Sequence, residues 1–186
     1  MLPAVELPDG CALRLLEEAD AGELERAVAA NHEHLAPWLP WVEATAAVGV
    51  EARREYLRRA RRQAETNDGF QAAIVARRAI VGVVGFHHVD WANRSTSLGY
   101  WLARDRQGRG IMTAAVRALV DHAFAVWQLN RVEIRVAVGN ARSAAIPLRL
   151  GFVQEGVLRA AERHADGYKD IAVYSLLRND RLPANT

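Results

Sequence analysis

Residues 98–127 read LGYWLARDRQGRGIMTAAVRALVDHAFAVW, and this stretch decides the fold. It opens as a strand, bends through a turn holding Gly108 and Gly110, and continues as a helix. Two glycines one residue apart adopt backbone angles closed to other residues and let a ligand approach the main chain. Met112, Ala115, Val116, Leu119, Val120, Ala123, Phe124 and Trp127 then recur at steps of three and four. Such a stripe predicts a helix packed on a sheet. The first N–H groups of that helix lack intrahelical partners and sit at the positive end of its dipole, which makes an anion site. The ligand expected there is a phosphate, most simply a diphosphate.

Working outward, residues 95–103 supply the strand before the turn, and residues 131–138 (RVEIRVAV) alternate apolar and polar as a second strand. Strand, crossover helix and strand make a right-handed βαβ unit. Upstream, the pattern predicts a strand over 11–16, a helix over 17–30 with Asp20 as its cap, and a helix over 51–66. Strands at 70–76 and 79–89 are joined by Arg77-Arg78 as a hairpin. Downstream, Asn140 caps a helix over 141–150 that Gly151 ends, and strands at 152–161 and 168–177 flank the hairpin dipeptide Asp166-Gly167. Pro147 lies inside that helix. Having no N–H, it cannot donate to the carbonyl of Ser143, and so it should kink the helix and leave that carbonyl free. The expectation is an α/β (α+β) chain of about seven strands, one domain over 1–186 with its core at 11–177 and a frayed tail at 181–186.

Composition narrows the function. The 186 residues are 51% hydrophobic and 25% charged, with a net charge of +2. That is an ordinary globular balance, with no excess of charge to recruit nucleic acid. One cysteine, Cys11, excludes an intrachain disulfide and suits a reducing cytoplasm. It reads as a small core residue or, alternatively, a reactive thiol. No basic segment followed by an apolar run starts the chain, and no apolar run approaches the ~18 residues that span a bilayer, so neither a signal peptide nor a membrane partner is expected.

Several side chains carry two readings. Residues 31–41 (NHEHLAPWLPW) form an irregular aromatic segment, either a packed connector or one wall of a substrate groove formed by His32, Trp38 and Trp41. His32 and His34 lack the further ligands a metal needs, and no metal is expected. The six arginines of 51–66 read as a basic patch for RNA or as a face laced with ion pairs to Glu51, Glu55 and Glu65. His87 and His88, adjacent on a strand, point to opposite faces, so one of them at most, taken as His87 on the substrate side, lines a given site, as a structural ring or a proton shuttle.

Gln107-Gly108-Arg109-Gly110-Ile111-Met112 resembles the acetyl-CoA motif of the GNAT superfamily of N-acetyltransferases. Asn140-Ala141-Arg142-Ser143, closing at Leu150-Gly151-Phe152, resembles its second motif. Gly99-Tyr100-Trp101-Leu102, Asn130-Arg131-Val132-Glu133, Glu155-Gly156-Val157-Leu158-Arg159 and the Trp38–Trp41 region are most similar to the RimJ/RimL branch, the ribosomal-protein N-terminal acetyltransferases. The resemblance runs from about Cys11 to Leu177. It implies a strongly curved mixed sheet with helices on both faces, acetyl-CoA as co-substrate, and a homodimer. It also implies that the backbone at Gln107, Gly108, Arg109, Gly110, Ile111, Met112 and Thr113 holds the diphosphate, that Trp101 and Leu102 pair with the pantetheine, and that Asn140 bonds near the thiol. The chain departs from the motif at Met112, where a small residue is usual, and at Pro147, where many members carry an acidic tyrosine. The RimL likeness transfers the acid role to Ser143 and the base role to Glu162. Their alternatives are a first-turn serine bonding its own helix and a surface carboxylate, with His87 or His88 in reserve as base.

The implied reaction is attack of a neutral amine on a thioester, then collapse of a tetrahedral intermediate with loss of the thiolate. An α-amine, of pKa ~8, is about 10% neutral at pH 7, whereas a lysine at ~10.4 is a few hundred times less so. A protein N-terminus, as on a ribosomal protein, therefore needs only a mild base. Small amines (amino acid, polyamine or antibiotic) are the neighbouring alternative. A non-catalytic acyl-CoA-binding regulator and a dinucleotide-binding domain are the remote ones; the latter lacks a third glycine, since position 113 is Thr.

Overall fold

The structure, a computed structural model, describes residues 5–180; the tail expected at 181–186 lies outside them. Among the described residues eight strands form one sheet: β1 (Val5–Leu7), β2 (Cys11–Leu15), β3 (Gln71–Ala76), β4 (Ala79–Asp90), β5 (Ser95–Leu102), β6 (Arg131–Ala137), β7 (Val153–His164) and β8 (Gly167–Leu177). Their order is β1-β2-β3-β4-β5-β6-β8-β7, and only β5 and β6 pair in parallel. β1 is the strand beyond the expected seven. It is three residues long and turns into β2 through Asp9 and Gly10, both at positive φ, the conformation that an Asp-Gly hairpin favours. Arg77 and Arg78 make the β3–β4 hairpin with φ of +47° and +71°.

Among the described residues six α-helices cover the two faces. α1 (Ala21–Ala30), α2 (His32–Leu35), α3 (Pro40–Thr45) and α4 (Val50–Glu65) pack on Ala73, Ile80, Val83 and Trp101. α5 (Ile111–Ala125) and α6 (Ala141–Arg149) enclose the larger core on the other face, around Ile74, Phe86, Leu98 and Ile134. Alternation along the sheet sends Trp101 to one core and Leu102 to the other.

Three local expectations change. The helix expected at 17–30 begins as a 3-10 turn over Glu18–Asp20, and Asp20 places no side-chain bond on α1. Its buried carboxylate instead accepts two bonds from Arg14 (2.6 and 2.7 Å) and the Glu17 N–H (2.8 Å). Burial opposes its charge, but those donors hold its pKa below the ordinary carboxylate value. On α4 the spacing predicts an apolar face of Ala52, Tyr56, Ala60 and Ala64 with Leu57 beside them; the buried residues are instead Arg53, Leu57 and Ala60, and Ala64 is exposed. All six of its arginines are ion-paired, Arg53 to Glu25 across to α1 and the others to Glu18, Glu51, Glu55 and Glu65. The solvated, ion-paired reading therefore holds for the five exposed arginines, whereas Arg53 is buried with its pair to Glu25. Residues 31–41 are not irregular: α2 and α3 occupy most of them, Pro40 starting α3 where its missing N–H costs nothing. Cys11 is a core residue, 3% exposed.

Candidate active site

The parallel pairing of β5 and β6 stops halfway. It runs from Ser95 opposite Arg131 to Leu98 opposite Ile134. Beyond Leu98, β5 stays paired to β4 as far as Leu102, and beyond Ile134, β6 stays paired to β8 as far as Ala137. The two strands therefore part, and each turns into the wedge a backbone edge without a strand partner, the β5 edge bonding the His34 ring at Leu102. An extended ligand with amide groups can satisfy such edges.

The glycine turn closes the wide end. Gly108 and Gly110 sit at φ of +75° and +76°, a left-handed conformation that costs other L-residues about 1–2 kcal/mol. Gly110 is the N-cap of α5 and provides no side-chain cap, and the first turn of α5 carries no acidic residue. The first intrahelical bond is from Ala114 N–H to Gly110 O, so the preceding amides are offered to a ligand. The side chains around them do other work. Ile111 and Met112 are buried in the core, and Thr113 is half-buried. Arg109 bonds Asp9 (2.8 Å) and the carbonyl of Asp105 (3.0 Å). The Gln107 amide donates to His34 Nε2 (2.8 Å) and accepts from Arg142 (2.8 Å), joining α2, the turn and α6. Burial, with Arg104 and Arg142 beside it, lowers the pKa of His34 and keeps the ring a neutral acceptor.

The 31–41 segment runs across the wedge. At the turn end, Asn31 accepts the Arg104 N–H (2.9 Å). At the far end, Lys169 of β8 donates to the Pro37 carbonyl (2.6 Å) and stands over the Trp38 ring. Trp38 also reaches Gly139, next to Asn140. Trp41 lies elsewhere, its ring beneath Arg53 of α4, and His32 pairs with Glu43 of α3. Of the three proposed wall residues, the structure brings only Trp38 to the wedge and the hairpin.

On the other flank Asn140 caps α6, its Oδ1 accepting the Ser143 N–H (3.2 Å). The Ser143 hydroxyl donates to Tyr100 Oη (3.3 Å), and Tyr100 in turn donates to the Ser143 carbonyl (3.1 Å). That carbonyl is the one Pro147 leaves without its helical partner. A cavity of about 230 Å³ adjoins this corner, lined by Asn140, Ala144, Gln154, Val157 and Tyr174. Glu162 lies opposite Lys169 near the end of β7. Between the pairs Leu158–Ile171 and Glu162–Lys169, β7 takes four steps and β8 two, with Ala160 at φ +48°, so a bulge sets where Glu162 points. Its carboxylate bonds His164 Nε2 (2.7 Å), a buried ring whose Nδ1 has no partner. His87 and His88 do not alternate. A bulge in β4 between Phe86 and Val89 leaves both exposed. His87 bonds Ser97 (3.1 Å) and covers Gly99, where a Cβ would strike its ring, while His88 pairs with Asp68. Although one side of its ring is open to solvent, the protein packed around the rest of it, then Arg135, lowers the pKa of His87.

His34, Tyr100 and His164 are the residues that sequence reasoning passed over. Only Tyr100 had a signal, the carbonyl orphaned by Pro147. No group of three or more potential metal ligands occurs among the described residues, and none of their helices is long and apolar enough to cross a membrane.

Known proteins place this arrangement. The profile of the acetyltransferase (GNAT) domain matches residues 11–153. A putative ribosomal N-acetyltransferase of Bacillus subtilis, YdaF, is 36% identical over 168 residues, covering 90% of this chain and 91% of that protein. The ribosomal-protein-serine acetyltransferase of Escherichia coli is 36% identical over 96 residues, 52% of this chain and 54% of that one. Among solved structures, Mycobacterium smegmatis RimJ in complex with a CoA disulfide is 28% identical with a TM-score of 0.88, over 98% of this chain and 89% of that one.

Proposed function

The chain belongs to the acetyltransferase (GNAT) family, and from that premise we propose that it acetylates the N-terminal α-amine of a protein, such as a ribosomal protein. Acetyl-CoA supplies the activated acetyl thioester. The products are the N-acetylated amine and CoA. The backbone amides of 108–113 face the diphosphate, and the edge of β5 at Trp101–Leu102 that β6 leaves uncovered faces the pantetheine amides. Asn140 spends its carbonyl oxygen on the helix cap, so it has its amide N–H groups to offer near the thiol. These assignments fit the uncapped start of α5 and the unpaired strand edges described above.

Glu162 takes the proton that the amine loses, and Ser143 donates a hydrogen bond to the departing sulfur. The observation that carries the acceptor reading is the position of Glu162. A half-exposed carboxylate opposite Lys169, whose ammonium stands over Trp38, and bonded to one buried histidine is an accessible proton acceptor. Such a base suits an amine already about 10% neutral at pH 7 rather than a lysine. The ribosomal N-acetyltransferase relatives of Bacillus and Escherichia point the same way. The reading includes a cytoplasmic homodimer, which sedimentation of the purified chain tests.

The deciding experiment measures thiol release from acetyl-CoA with a panel of ribosomal-protein N-terminal peptides, polyamines and aminoglycosides. Release with the peptides, and a 42-dalton-class mass gain confined to their α-amine, is the expected result. Turnover with polyamines or aminoglycosides alone would move the acceptor to small amines. Tight acetyl-CoA binding without turnover on any amine would make the chain an acyl-CoA-binding regulator.

A further inference from the structure

Ser143 has three polar groups, and the structure assigns a partner to each. Its N–H goes to the Asn140 cap, its carbonyl receives the Tyr100 hydroxyl, and its own hydroxyl donates to that same Tyr100 oxygen. A helical serine ordinarily bonds its hydroxyl back to a carbonyl one turn earlier. Here the bond crosses instead to β5, 43 residues away in the chain. The crossing depends on Pro147. With any other residue there, the N–H at 147 would compete for the Ser143 carbonyl. With proline that carbonyl is an orphan in a half-buried helix, which is unfavourable unless another donor arrives. Tyr100 is that donor, and it stands on the stretch of β5 just past Leu98, where the strand has parted from β6.

We propose that Tyr100 is a positioning residue for the transfer: with its own proton committed to the Ser143 carbonyl, it fixes the Ser143 hydroxyl at the mouth of the wedge, and Pro147 is the device that keeps that carbonyl open for it. This rests on the reading of Ser143 as donor to the departing sulfur. The chemistry follows from which proton is committed. Tyr100 Oη has given its hydrogen away, so toward Ser143 Oγ it can only accept. Ser143 therefore keeps its hydrogen, and rotation about the Cβ–Oγ bond alone redirects it to sulfur, with no heavy atom moving. Burial raises the Tyr100 pKa to about 12, so the phenol stays neutral and takes no proton from the serine. A thiol of pKa ~8.5 leaves readily as thiolate, so the pair need supply only a fixed donor and no net proton.

The test compares Tyr100→Phe, Ser143→Ala, the double variant, and Tyr100→Phe combined with Pro147→Ala. The readouts are kcat and KM for acetyl-CoA from thiol release, and Tm. Tyr100→Phe is expected to lower kcat about tenfold with KM within about twofold, because a mispositioned donor loses transition-state contact and little ground-state binding. Ser143→Ala should lower kcat at least as far, and the double variant no further than Ser143→Ala alone. Adding Pro147→Ala to Tyr100→Phe restores an N–H to the carbonyl, so Tm should recover while kcat stays low. Recovery of kcat along with Tm would reduce Tyr100 to a structural prop and overturn the inference. So would a normal kcat in Tyr100→Phe when Ser143→Ala is slow, or losses that multiply in the double variant. A normal kcat in Ser143→Ala would instead overturn the reading on which the inference stands.

Discussion

The two flanks of the wedge are built from different materials. On the β5–α5 flank the groups proposed to face the ligand are main-chain amides. The neighbouring side chains are buried, as Ile111 and Met112 are, or turned onto protein partners, as Gln107 and Arg109 are. On the α6 and β7–β8 flank the groups proposed to work are side chains: the Ser143 hydroxyl held by Tyr100, the Glu162 carboxylate held by His164, and Lys169 set over Trp38. A backbone site needs only local conformation, which two glycines provide. A side-chain site needs contacts between distant segments, such as that of Lys169 with Pro37, 132 residues away. The first flank should therefore govern binding and the second turnover.

The largest effect is expected at Glu162. Replacing it with glutamine keeps the shape and removes the base, so kcat should fall about 100-fold or more, the usual range for a lost general base. The KM for acetyl-CoA should stay close to wild type, since no binding amide is touched. Steady-state thiol release with an acceptor peptide measures both. An unchanged kcat would remove the chemistry from the side-chain flank and turn attention to His87.

A smaller effect, opposite in kind, is expected at Gly110. Its φ of +76° is a left-handed conformation that a β-branched side chain resists. Gly110→Val therefore forces the start of α5 to shift or store about 1–2 kcal/mol, which corresponds to roughly tenfold weaker acetyl-CoA binding. Calorimetric titration with acetyl-CoA gives the affinity, and kcat at saturation should change little. A large fall in kcat with normal affinity would mean that the turn sets reaction geometry rather than holding phosphate.

The same contrast explains how much was legible in the residues. The glycine turn, the stripe on α5 and the alternation of β6 are local patterns, and each forms where its period places it. Even the fate of Pro147 was half readable, because a proline announces the carbonyl it abandons. What occupied that carbonyl was not, since Tyr100 looks like any aromatic on a strand. His164 gave no signal either, because a histidine at a hairpin end reads as exposed and only the folded sheet buries it. β1 escaped because three residues carry no period, although Asp9-Gly10 marks the turn after it. His87 and His88 broke alternation through a bulge that depends on the register of β5, a property of two strands rather than one.

The smallest effect is the one that most sharpens the contrast. Arg109 sits between the two glycines and looks like a phosphate ligand. Its guanidinium, however, is turned to the β1–β2 turn, where it bonds Asp9 and the Asp105 carbonyl, and it is about half exposed. If the flank binds through its amides, Arg109→Ala should weaken acetyl-CoA binding less than about threefold and cost under about 1 kcal/mol of stability, as exposed ion pairs do. Titration at low and high salt separates the two outcomes. An amide-only cradle shows little difference between Arg109→Ala and wild type at either ionic strength. A loss of tenfold or more that fades in high salt would mean that the arginine leaves Asp9 for the ligand, and the flank would then use side-chain charge as well as backbone.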